Sequence, residues 1–262
     1  MAINKTSPIP LYFQLAERLR GQIDVGQLRP GEQLPSEREL GEQSGISRMT
    51  ARQAITYLVR QGRLVVRPGI GTFVAEPKLT HDTLHLLGFT EEMLRSGLAP
   101  SSRVLEQTLA APPAQVAADL NLAPGQPAVK IVRLRLSQAT PMLLETVFVP
   151  ALLAPGLEHE DLSQASLYAL LEQKFELALD HANQSLEVTT ASDDEARLFG
   201  VLPGTTMLLL EGVTYTADEQ PVEAFKALYV GEKFKFALES QRHNGSPGDG
   251  QPRLSVVLRG GS

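Results

Sequence analysis

Two pairs of arginines stand at spacings that let each pair act on a single anionic partner. Arg133 and Arg135 alternate with Leu134 and Leu136 in the apolar run VKIVRLRL, and a β-strand sends every second side chain to the same face. Guanidinium groups side by side repel each other unless they share an anion, and their planar fork suits the oxygens of a phosphate or carboxylate. Arg48 and Arg52, in SRMTARQAITYLVR, lie four apart, which places both on one face of a helix. From there they can reach the phosphates or base edges of a duplex, where a bidentate arginine on guanine gives ~1–3 kcal/mol of discrimination.

The charge around the two pairs differs. From Gln43 through Ala75 there is no Asp or Glu, although the whole chain has 30 acids, 24 bases and a net charge of −6. Residues 1–78 carry 11 Lys+Arg and 7 Asp+Glu, a net of +4, and the remainder carries 13 and 23, a net of −10. A basic head joined to an acidic body implies that the head meets a polyanion and the body does not.

The head must position Arg48 and Arg52. PLYFQLAERLRGQIDV, residues 10–25, sets Leu11, Leu15, Leu19 and Ile23 at four-residue steps, an amphipathic helix stopped by Gly26. Ser36 and Glu39 stand in capping-box spacing for a second helix that ends at Ser44-Gly45. Ser47 caps a third helix running to about Gln61, with Ala51, Ile55, Leu58 and Val59 facing inward. RLVVRPGIGTFV then reads as a hairpin. Helix, helix, helix, hairpin is the order of a winged helix-turn-helix, whose third helix enters the major groove. In that frame Thr50 adjoins the two arginines, Arg38 on the second helix grips the DNA backbone, and Gly69 and Gly71 let the wing approach without a side chain in the way.

PGEQLPSERELGEQSGISRMTARQAITYLVRQGRLVVRPGIGTFV resembles the winged helix-turn-helix of the GntR family of bacterial transcription regulators. The resemblance implies that Arg38, Arg48, Thr50, Arg52 and Gly69 contact operator DNA and that Met49 is a variable position tuning the operator sequence. Ala51, where the family more often has Val, bears on packing.

Beyond a linker at 76–83, the body at 84–240 carries a weak repeat. Ala117, Leu120, Leu122 and Pro124-Gly125 correspond to Ala196, Phe199, Val201 and Pro203-Gly204, each followed by two apolar strands. A helix and a hairpin used twice predict an α+β domain with an antiparallel sheet, so the chain as a whole is mixed α/β in two domains. Glu145 stands in the strand following Arg133 and Arg135, and Glu223 and Tyr229 stand in its counterpart in the second copy. The pattern admits two arrangements: a pocket where these groups converge on an anion, or an outer sheet face where Arg133 and Glu145 pair across the hairpin.

The body resembles the UTRA effector-binding domain, similar in fold to chorismate lyase, that marks the HutC-type branch of the GntR family. The motifs that carry this are LGFTEEMLRSG, RLRL, LLETVFVP, SLYALLE and PVEAFKALYVGEKFKF. They are most similar to regulators of N-acetylglucosamine use, which respond to phosphorylated amino sugars. The resemblance implies that Arg133, Arg135 and Ser166 hold a phosphate, that Phe89 and Thr90 close the pocket, and that Glu145, Glu223 and Tyr229 address the sugar. Ser166 also suits an N-cap, and a helix N-terminus favours an anion.

Other classes fit less well. The chain has no cysteine, which removes disulfides and thiolate metal sites. His81, His85, His159, His181 and His243 are scattered without ligand spacing, so no metal and no cofactor is expected. Glu223 as a general acid is the one handle for an enzyme reading, and a DNA-binding head gives such a body little purpose. No segment approaches the ~20 apolar residues of a membrane span. The expectation is a cytoplasmic homodimer, a repressor on a palindromic operator, with a small anionic effector and a disordered tail at 241–262 rich in Gly, Pro and Ser.

Overall fold

The computed structural model describes residues 3–67, 69–76, 78–82 and 86–237, and the chain divides into two compact units, Met1–Lys78 and Leu79–Ser262. The tail at 241–262 lies outside the described residues.

The first unit holds α1 (Leu11–Asp24), α2 (Glu37–Ser44) and α3 (Arg48–Arg60), then the hairpin β1 (Leu64–Arg67) and β2 (Gly71–Val74). Local chemistry sets the helix ends. Ser36 accepts from the Glu39 amide while the Glu39 carboxylate accepts from the Ser36 amide, the reciprocal box read from the sequence. Gly45 ends α2 in the left-handed region at φ 64°, and Ser47 accepts from the Thr50 amide to start α3. Leu15, Leu19, Leu40, Ala51, Ala54, Ile55 and Leu58 form the core between the helices, whereas Val59 is only half-buried at its margin. The segment before α2 widens the wing, since the Leu34 amide donates to Thr72 and the Val74 amide to Glu32.

The second unit begins earlier than the linker reading allows, because part of 76–83 is strand: β3 (Leu79–Asp82) pairs in parallel with β10 (Phe234–Ala237). A pairing partner some 150 residues away leaves no local signal. The remaining elements are α4 (Phe89–Arg95), β4 (Pro100–Ala110), α5 (Ala114–Asp119), β5 (Ala128–Ser137), β6 (Thr140–Pro150), α6 (Leu167–Lys174), β7 (His181–Thr190), α7 (Asp193–Phe199), β8 (Thr206–Tyr215) and β9 (Pro221–Val230). Six strands form one antiparallel sheet in the order β4-β5-β6-β9-β8-β7.

That order makes the repeat larger than the helix and hairpin of the sequence reading. Each copy is strand, helix, strand, strand, and the copies meet at β6 and β9. One sheet face packs Leu134, Met207, Leu228 and Val230 on Ala196 and Phe199 of α7. The other packs Ile131 and Val147 on Leu167 and Leu171 of α6, and Leu143, Leu210 and Tyr229 on Phe89 and Met93 of α4.

Candidate functional site

On this second face lies a cavity of about 240 Å³, lined among others by Phe89, Thr90, Arg133, Arg135, Glu145, Ser166, Glu223 and Tyr229. All eight body residues singled out in the sequence therefore stand around one space. The period of two carries Arg133 and Arg135 there from β5, and the register opposes Arg133 to Glu145 on β6 and Tyr229 on β9 to Leu143. Phe89 and Thr90 open α4, and Ser166 caps α6 by accepting from the Ala169 amide.

The two arrangements left open by the sequence are both partly present. Arg133 pairs with Glu145 across the hairpin, through Nε at 2.9 Å and through Nη2, but in the interior, with only 2% of Arg133 exposed. The same Glu145 oxygen lies 3.6 Å from Nη1 of Arg135. The anion that reconciles the two cations is thus first of all internal. Arg135 also donates to Thr90 Oγ1 at 2.6 Å and lies over the Phe89 ring at 4.7 Å.

One carboxylate does not exhaust two guanidinium groups. Arg133 Nη1 and Arg135 Nε are buried without a hydrogen-bond partner, and leaving such a donor unsatisfied costs about 1–3 kcal/mol or more when it is charged. Burial alone would raise the Glu145 pKa, but Arg133 and then Arg135 overcome it and hold the group below the ordinary carboxylate range. Burial lowers Arg135 to about 10, still protonated at neutral pH.

Across the cavity, burial raises Glu223 from 4.5 to about 7. It accepts from Thr214 Oγ1 at 2.9 Å, and that hydroxyl lies 3.3 Å from the Tyr168 hydroxyl. Below that pH the buried ionised groups of the lining, two arginines against Glu145, leave one positive charge in excess, while Asp180, also in the lining, is 56% exposed and screened by solvent, so the buried end of the space favours an anion. Tyr168 and Thr214 were not singled out from the sequence. Thr214 carries the signal that drew attention to Arg133, a polar residue inside an apolar strand, whereas Tyr168 looks like any residue of an amphipathic helix.

In the first unit, Arg48, Met49, Thr50 and Arg52 lie on the first turns of α3, with Arg48, Met49 and Arg52 exposed. The Thr50 hydroxyl is 2.8 Å from that of Ser47, so it takes part in the helix cap. Gly69 has φ +75°, which a left-handed turn requires of it whatever the wing approaches. The face is not free of acids, although residues 43–75 contain none. Glu37 of α2 lies 3.1 Å from Arg48 and 3.3 Å from Arg52, and Arg38 donates to Glu42 at 2.7 Å. An acid-free interval of chain says nothing of carboxylates delivered by the preceding helix, and Glu37 is the residue this reasoning missed.

Residues 11–74 match the model of the gntR family of bacterial regulatory proteins, and residues 95–235 match the UTRA domain. The chain belongs to the GntR family. Among relatives of this GntR protein, the HTH-type transcriptional repressor NagR of Bacillus subtilis is 39% identical over 236 residues, 90% of this chain and 97% of that one. The histidine utilization repressor of Pseudomonas putida is 30% identical over 87% of this chain and 91% of its own. Among solved structures, PhnF from Mycobacterium smegmatis superposes with a TM-score of 0.61 at 28% identity, over 87% of this chain and all of that one. As in GntR regulators generally, the winged helix-turn-helix is the DNA-binding part. No helix among the described residues is long and apolar enough to cross a membrane.

Proposed function

We propose that the protein is a cytoplasmic, homodimeric repressor whose hold on a palindromic operator is controlled by a phosphorylated amino sugar, glucosamine-6-phosphate or N-acetylglucosamine-6-phosphate. The observation that carries this reading is the pair of buried, unpartnered donors, Arg133 Nη1 and Arg135 Nε, on two residues that line the cavity. A phosphate group satisfies both, with the Ser166 end of α6 and Thr90 beside it. Glu145, Glu223 and Tyr229 then address sugar hydroxyls. The resemblance of the body's motifs to regulators of N-acetylglucosamine use supports the amino sugar, while the relative named for histidine use makes effector identity the finer part of the proposal. On the DNA side Arg48 and Arg52 read bases, Arg38, Thr50 and Gly69 meet the backbone, and Met49 tunes the sequence read. We read the body as a sensor and not an enzyme.

The test is fluorescence anisotropy on the DNA upstream of the protein's own gene, titrated with both phosphosugars and with the unphosphorylated sugars as controls. Release by the phosphosugars alone, abolished in Arg133→Ala, is the expected result. Specific DNA binding indifferent to all four compounds keeps the regulator and removes the effector.

A further inference from the structure

The two edges of the six-stranded sheet are built differently. The β4 edge starts at Pro100, carries the charges of Arg103 and Glu106 and a bulge between Val104 and Glu106, and a following segment covers it. There the Ser102 amide donates to Ser163, and the Gln107 side chain donates to the carbonyls of Leu157 and Glu160. These are the devices by which proteins blunt an edge against further pairing. Among the described residues the β7 edge has only one of them, the carboxylate of Glu187. It pairs with β8 over ten residues without a bulge, contains no proline, lysine or arginine, and from Asn183 to Val188 is exposed on both faces. Leu186 and Val188, on the cavity face, are 43% and 74% exposed.

We propose that this edge is where two copies of the chain join, β7 pairing antiparallel with β7 of a second copy to continue the sheet. The inference deepens the homodimer reading above and rests on it. A twofold axis normal to a sheet makes an edge strand antiparallel to its own copy, so the same patch serves both sides. Side-chain chemistry selects the register. Centred on Leu186, the pairing sets Leu186 against Leu186, Val188 against Gln184 and Glu187 against Ser185, with an apolar pair on the axis and no like charges opposed. Centred on Glu187, it would oppose two carboxylates. The only charged residue between Ala182 and Thr190 is that glutamate, which also makes this strand a poor seat for DNA.

The joint lies against the cavity. His181, Ala182 and Gln184 line it from the first half of β7, and the Leu186-centred register brings the second copy's Thr190 opposite Ala182. An occupant of the cavity and a partner chain would then press on the same strand from two sides.

The natural absence of cysteine permits a direct test. In the full-length chain, Leu186→Cys is oxidised and run without reductant, beside Thr190→Cys, which this register sets against Ala182 and not against itself. Sedimentation equilibrium is measured on wild type and on Leu186→Lys/Val188→Lys, with circular dichroism as the check on folding. The expected results are a dimeric wild type, near-complete covalent linkage of Leu186→Cys, little of Thr190→Cys, and a folded double-lysine variant that dissociates at least 100-fold more readily. A dimer that tolerates both lysines and does not cross-link overturns the β7 joint and leaves the homodimer standing. A wild type that is monomeric alone and on operator DNA overturns both. A monomer that dimerises only when residues 241–262 are removed assigns the edge to LSVVL of the same chain and also overturns the joint.

Discussion

The protein uses one arrangement twice, two arginines sharing a carboxylate, and the two settings give it opposite consequences. In the head, Glu37 lies between Arg48 and Arg52, whose side chains are 69% and 61% exposed. In the body, Glu145 lies between Arg133 and Arg135, which are 2% and 3% exposed. In water such a pair is worth ~0–1 kcal/mol, so the head arginines can exchange Glu37 for phosphate at little penalty. In the interior, removing one partner strands a buried charge, so Glu145 is a fixture and the cavity keeps its residual positive charge.

The sharpest way to break this comparison is Arg133→Ala. It should destabilise the body by about 3–5 kcal/mol, read as a lowered thermal transition, whereas Arg48→Ala should leave that transition where it is. Equal effects at the two sites would show that burial is not what separates them. The next effect is pH-dependent. Because the folded-state pKa of Glu223 is raised, its neutral form stabilises the body fully below the unfolded value near 4.5, and that contribution is lost as pH rises through about 7. The loss amounts to about 3 kcal/mol between pH 4.5 and 8. Ionised Glu223 also cancels the excess charge, so anion affinity should fall over the same range. Denaturant unfolding at several pH values should show the stability slope in wild type and not in Glu223→Gln, and phosphosugar affinity, which also follows the ligand's own second ionisation at pH ~6, should fall in wild type relative to Glu223→Gln as pH rises through about 7.

On the head, Arg48→Ala should weaken operator binding by about 1–3 kcal/mol and relax the sequence preference, with folding unchanged. The smallest expected effect is that of Glu37→Gln: at most about 1 kcal/mol on unfolding, further reduced by salt. A larger loss would mean that Glu37 does more than lend the arginines a temporary partner.

What could be read from the sequence followed from chemistry that is local in the chain. The Ser36–Glu39 box, the Ser47 and Ser166 caps, the Gly45 stop and the wing turn each need only a few adjacent residues. The cavity lining was reached through arginines and glutamates out of place in apolar strands. The opposing register of Arg133 and Glu145 needs a hairpin closed at Gln138 and Ala139, both at positive φ, together with a bulge between Arg135 and Leu136 that shifts the pairing by one residue and that the sequence did not announce. Pairings across long stretches of chain escaped: β3 with β10, β4 and β7 as first strands of their copies, and Glu37 delivered from α2 onto α3. Tyr168 and Thr214 escaped because the chemistry between them arises only when α6, packed on the sheet, carries the Tyr168 hydroxyl to within 3.3 Å of Thr214 on β8.

The duplicated sheet also has a mechanical side. The copies join where β6 meets β9, in a ladder running only from Leu143↔Tyr229 to Phe148↔Ala224, shorter than the ladders within either copy. Of the residues lining the cavity, Arg133, Arg135 and Glu145 belong to one half, and Glu223 and Tyr229 to the other. A small molecule held by both sets acts as a rivet across the weakest joint of the sheet. Pulled apart from the ends of β5 and β8, the empty body should tear first along that joint, and the filled one should resist until the rivet itself gives way.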